Sequence, residues 1–162
     1  MIDKLRPPIC RSLLFLNRLK IMLLIAIAAL LSNCAHDSGK SIPAREDRIK
    51  MRQYIANGKI LYQENCSNCH QPDGSGLGQL YPPLVDSDFM LEDVERTICI
   101  IKNGVKGEIM VNGQLFNQEM PPNPYLTNLE AAQIATYIYN RFTDTALFIP
   151  VKRVDSLLNV CR

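Results

Sequence analysis

Cys66-Ser67-Asn68-Cys69-His70 is the stretch from which the rest of the chain is read. Two thiols with two residues between them can each form a thioether to a vinyl group of one haem. The histidine that follows the second thiol is then held beneath the iron as its proximal ligand. Other uses of Cys-x-x-Cys need more than the motif. A structural zinc site needs a second pair of ligands, and a redox dithiol needs a thioredoxin-like strand and helix around it. Neither accompanies this motif. The chain has six cysteines and two histidines in 162 residues; a chance match is expected roughly three times in a thousand, so the surroundings must agree with it.

Upstream, Lys4, Arg6, Arg11, Arg18 and Lys20 stand against one acid, Asp3, and the apolar run Ile21 to Leu31 follows. A basic segment and then a short apolar one read as a signal peptide over residues 1–33. A spanning helix needs about twenty apolar residues, so an uncleaved anchor is the weaker alternative. Leu31-Ser32-Asn33-Cys34 resembles the cleavage box of bacterial lipoproteins, with Asn33 where Gly, Ala or Ser is usual. That resemblance implies a lipid on Cys34; the alternative is ordinary cleavage with Cys34 left as a free thiol. Residues 34–47 are polar and aperiodic and read as a flexible linker, with a root-mean-square span of about 20 Å and a limit of about 50 Å. His36 lies in it as a solvated residue, not a ligand.

Residues 1–33 hold five of the 18 basic and one of the 16 acidic side chains, so the remainder carries 13 against 15, a net charge of −2. The mature chain thus has no basic cluster suited to releasing counterions from a phosphate backbone, and no nucleic-acid partner is expected.

The domain expected over 48–142 has three main helices and long loops. Ile49 to about Gln63 forms the first, with Gly58 inside it; Gly costs about 1 kcal/mol there relative to Ala, which points to close approach of another helix. The partner is Leu129 to Phe142, opened by the capping box Thr127-Asn128-Leu129-Glu130, with Tyr137 or Ile138 expected over Gly58 and Tyr62. Between them Glu92 to Asn103 forms a third, stopped by Gly104. Gln71 to Gly78, with three glycines and a proline, suits chain wrapped around a flat cofactor. So small a core gains the apolar contacts it lacks from a buried porphyrin.

A second iron ligand is sought among the six methionines. Met120 alone precedes a double proline, Pro121-Pro122, which can fix a loop without regular structure and hold a side chain toward the iron. A thioether there would close the metal to small molecules and favour the ferrous state. Met110, in the glycine-rich stretch 107–113, is the reserve.

The order of these parts resembles the class I c-type cytochromes, specifically the small bacterial single-haem proteins, over about Gln53 to Arg141. The resemblance rests on Gly58 with Tyr62, the Cys66–His70 motif, Pro82-Pro83-Leu84, Met120-Pro121 and the final helix. It implies an all-α cytochrome c-like fold around one covalent haem c, held by Cys66 and Cys69 and ligated by His70 and Met120. It also assigns to the Pro82 carbonyl the hydrogen bond from the far nitrogen of His70, with Leu84 packed on the haem and Pro83 as substitute if the loop is shifted. Such a bond fixes the imidazole tautomer and strengthens the ligating nitrogen. Export is implied too, because haem attachment to such motifs takes place outside the cytoplasm.

Cys99 and Cys161 remain. In an oxidising compartment they would pair and pin the tail, 143–162, whose Val151 to Val160 reads as a short helix; the alternative is a buried Cys99 acting as a small apolar residue. The functional expectation is an exported, lipid-anchored carrier passing one electron at a time between redox proteins, with no catalytic group. Two alternatives stay open: a fixed electron-entry subunit of a membrane respiratory or denitrification complex, and a gas- or peroxide-reactive haem if Met120 does not ligate.

Overall fold

The computed structural model describes residues 43–161, and Lys20 and Met22 apart from them. The rest of the expected signal peptide, the cleavage box with Cys34, His36 and most of the expected linker lie outside the described residues. The chain divides into Met1–Ile42 and Pro43–Arg162, and the second unit holds the fold. Among the described residues no helix is long and apolar enough to cross a membrane.

Helix α1 spans Pro43–Asn65. It begins before the expected Ile49, so residues 43–47 are helical rather than linker. Proline suits a first helical turn, where its missing N–H would have no partner. Glu46 in that turn favours the helix dipole, and it pairs with Lys50 at 2.9 Å one turn on. The far half of α1 crosses α5, Asn128–Phe142. Gly58 makes the crossing possible: a Cβ there would lie 2.1 Å from the Gln133 carbonyl oxygen and 2.7 Å from the Tyr137 Cβ. Tyr137 then packs on Tyr62 with ring centroids 5.5 Å apart, and Phe142 does so at 5.3 Å.

Thr127 and Glu130 close the capping box that opens α5, Thr127 Oγ1 accepting from the Glu130 N–H at 3.2 Å and Glu130 Oε2 accepting from the Thr127 N–H at 2.7 Å. Residues 131–139 are buried without interruption, the polar Gln133 and Thr136 among them, so the middle of α5 is covered on every side.

The helix expected over Glu92–Asn103 is present from Val94, and a separate short helix not expected from the sequence precedes it. Helix α3, Asp88–Glu92, ends at Asp93, whose extended backbone (φ −148°, ψ 100°) starts α4, Val94–Asn103. The Asp93 carboxylate accepts from the Arg96 N–H at 2.8 Å. A short acidic side chain gains more by capping a helix start than by continuing one. One-turn α2, Ser67–His70, lies between α1 and these helices.

A hairpin not expected from the sequence joins β1, Ile109–Val111, to β2, Gln114–Phe116, with Met110 opposite Leu115. Its two-residue loop is Asn112-Gly113, at φ 51° and 75°. That is the turn geometry whose twist matches paired strands. Asn112 is fastened to α3 by reciprocal bonds with Asp88 of 3.0 and 2.7 Å.

The tail is shorter in its helix and deeper in its packing than the expected segment 143–162. Helix α6 spans Val151–Leu158, and Ile149 and Val154 are fully buried in the same core as α1 and α5. The Ile149 N–H donates to Thr136 Oγ1, and Asn140 Nδ2 donates to the Leu147 carbonyl at 2.6 Å. A disulfide joins Cys99 of α4 to Cys161, 62 residues apart. Among the described residues the fold is all-α with one small hairpin.

Candidate functional site

The last turn of α1 passes into α2 through Cys66, whose N–H donates to the Tyr62 carbonyl at 2.9 Å, while its own carbonyl accepts from His70 at 3.0 Å. Residues 66, 69 and 70 thus stand at helical spacings of three and four, on one side of a single turn. That side forms one wall of an apolar cleft open to solvent, the kind of concave apolar site that cofactors occupy.

Cys66, Cys69, His70, Pro82, Leu84 and Met120 all line this cleft. Cys66 and Cys69 carry free thiols. Burial pushes the Cys66 thiol up to about 12, with Cys69 beside it adding to the rise. A redox dithiol is the opposite case, activated by a depressed thiol pKa. Among the described residues no further cluster of ligands is present that would complete a zinc site.

His70 Nδ1 lies 3.0 Å from the Pro82 carbonyl oxygen. A carbonyl only accepts, so Nδ1 carries the proton and Nε2 keeps its lone pair for a metal. Burial lowers the His70 pKa and the Pro82 carbonyl opposes this; the first effect favours the neutral ring that binds metal. Just beyond, Gln71 sits at φ 64°, ψ 155°, a conformation favouring glycine, and Tyr62 Oη donates to its carbonyl at 2.6 Å. The Tyr62 hydroxyl, read from sequence only as packing, therefore also holds the chain as it leaves His70.

Met120 is fixed from the other direction. Its N–H and carbonyl both bond Val105, each at 3.0 Å. Gly104 lies so close beneath that a Cβ would stand 2.3 Å from the Met120 carbonyl oxygen. After the double proline, the Asn123 N–H donates to the Lys102 carbonyl at 2.9 Å. Lys102 Nζ in turn donates to the carbonyls of Pro124 and Leu126. The loop is therefore clipped to the end of α4 along its whole length. Nothing in the sequence pattern marks Lys102 for this, since an exposed-looking lysine near a helix end has many uses.

Met110 is on the outer face of the hairpin and is 54% exposed, whereas its neighbours Ile109 and Val111 line the cleft. Strand alternation puts the reserve methionine outside. The hairpin thus supplies part of a wall that the sequence reading left as loop, and the signal that would have found it is Asn112-Gly113.

The residues fit a covalently held porphyrin: two thiols on one turn, an imidazole with one nitrogen free and the other oriented, a thioether on a clamped backbone and apolar walls. Comparison with known proteins agrees. A family model, Cytochrome c, matches residues 55–141. The cytochrome c-552 of Thermus thermophilus is 28% identical over 93 residues, covering 55% of this chain and 70% of that protein. A second cytochrome c-552, from a particular strain of the same species, is also 28% identical over 93 residues, covering 55% of this chain and 62% of its own length. With more than half of its residues inside the family's bounds, this chain belongs to the cytochrome c family and is an electron-transfer haem protein carrying covalent haem c.

Proposed function

We propose that this chain is an exported, lipid-anchored, single-haem cytochrome that passes one electron at a time between respiratory redox proteins. Cys66 and Cys69 hold the haem, His70 and Met120 ligate its iron, Pro82 orients His70, Leu84 packs on the ring, and Cys34 bears the lipid. The observation that carries the ligand set is that His70 and Met120, each backbone-clamped, line the same apolar cleft as both thiols. When bound, the haem supplies an iron that alternates between ferric and ferrous states.

The chain's own part is to keep the two ligands where they are in both states. The Pro82 carbonyl orients the imidazole, and the Val105 bonds hold the backbone that carries the Met120 thioether. Apolar walls exclude water and so reduce the solvent reordering that accompanies a change of charge. No proton need be moved and no substrate bound. Partners are redox proteins that dock through a small interface and release quickly. Support for export and anchoring comes from the basic and apolar N-terminal segments and from Leu31-Ser32-Asn33-Cys34.

The test is optical. The purified ferric protein is expected to show the weak absorption toward the red end of the visible spectrum that reports sulfur ligation, and the reduced protein to resist carbon monoxide. Absence of that band with ready carbon monoxide binding would make it a ligand-reactive haem instead.

A further inference from the structure

Charge on this domain is segregated. Residues 43–59 carry five basic and two acidic side chains, whereas residues 60–162 carry seven and twelve. The sequence shows no basic cluster in the mature chain, but helix formation gathers one: within α1, Arg45, Arg48, Arg52 and Lys59 follow at spacings of three, four and seven. At 3.6 residues per turn they fall within about 60° of the helix circumference. All four are exposed. By the same spacing Glu46, Asp47 and Glu64 fall outside that sector. Among the described residues none of the four cations is in an ion pair, and Lys50, on another side, is the one that Glu46 takes. Ile49 and Ile60 flank the row and are 43% and 55% exposed. None of these six side chains lines the cleft.

We infer that this face of α1 docks on anionic lipid headgroups of the membrane to which the chain is tethered. The inference rests on the proposed N-terminal anchoring and adds to it a second contact. Ten residues separate Cys34 from Arg45, so the row cannot lie more than about 40 Å of extended chain from an anchor there. A tether that short keeps the cations at high local concentration against the headgroups. Guanidinium groups bind phosphate oxygens in pairs, and the two isoleucines suit the boundary beneath them. The acidic remainder is repelled by the same surface, which orients the domain with α1 inward. A redox protein is the less suitable occupant, because one bound on this row would not sit over the cleft. Membrane contact here leaves the cleft free for that partner.

The experiment uses the full, haem-loaded chain on two kinds of vesicle: phosphatidylcholine alone, and phosphatidylcholine with roughly one part in four of anionic phosphatidylglycerol. An arginine-selective dicarbonyl reagent is applied and labelling is read by peptide mass spectrometry, with exposed Arg141 as the internal reference. Arg45, Arg48 and Arg52 are expected to be protected severalfold on the anionic vesicles relative to Arg141, and protection is expected to vanish at about 1 M salt, where screening falls to a few ångströms. Arg48→Glu combined with Lys59→Glu is expected to lower the protection of Arg52 at least fivefold, each cation near such a surface accounting for about that factor. Equal labelling on both vesicles, or protection of Arg52 unchanged in the double variant, overturns the inference. The readout needs neither haem nor sulfur ligation. The absorption spectrum of the same samples therefore shows separately whether the haem assignment has failed.

Discussion

Met120 carries the most consequence of any single side chain. Met120→Ala leaves Val105, Gly104 and Lys102 their backbone partners, so the loop should persist while the thioether is lost. The expected result is disappearance of the red absorption band, carbon monoxide binding on reduction, and a potential lower by tenths of a volt, within the roughly 0.8 V that axial ligands span. Gly104→Ala asks the reverse, keeping the thioether and disturbing its support. Its Cβ would enter the space of the Met120 carbonyl, and forcing such a contact costs about 1–3 kcal/mol. The band should weaken or become temperature-dependent while His70 ligation stays intact. Cys66, Cys69 and His70 were legible because covalent attachment demands fixed spacing, and the Pro82 carbonyl was legible through the resemblance to class I c-type cytochromes. Lys102 and the Tyr62 hydroxyl were not, since their work is done on backbone carbonyls brought near only by folding.

The packing of α1 on α5 is the contact on which the core is built, and it was legible from Gly58 and the capping box alone. Gly58→Ala should lower stability by about 1–3 kcal/mol, because the obstructing atoms belong to the α5 backbone and the Tyr137 Cβ rather than to a side-chain end that can swing away. Thermal unfolding followed at the haem absorbance measures it. Where reading of elements failed, a local signal was outweighed by a broader one. Asp93 was absorbed into a helical stripe although aspartate favours a helix start. Asn112-Gly113 was absorbed into a glycine-rich loop although it marks a hairpin. Both features shape the cleft wall, so the site was only partly drawn.

For the whole molecule, the tail matters more than its position suggests. Sequence pattern set it outside the haem domain, because Ile149 and Val154 are too few to announce a core face, yet both are fully buried. The Cys99–Cys161 disulfide closes a loop of 62 residues, worth about 4 kcal/mol in the chain-entropy model. Replacing both cysteines with alanine should lower the unfolding free energy by about that much, read by denaturant titration.

Two carboxylates add a pH dependence. The Arg153 hydrogen bond holds Glu95 below its ordinary value, and the Thr127 N–H does the same for Glu130. Groups whose pKa is depressed by folding stabilise fully above the unfolded value of about 4.3 and lose that contribution as pH falls through the folded value. Stability should therefore decline below about pH 4.3, and Glu95→Gln with Glu130→Gln should flatten the decline.

The most direct test of the account is the intact mass of the protein extracted from the membranes of the cells that make it. The expected mass is that of the chain from Cys34 onward with one haem and a lipid attached, and Cys66→Ser with Cys69→Ser should lose only the haem increment. A wild-type mass equal to that of the polypeptide alone, or a haem increment that survives loss of both thiols, would contradict it.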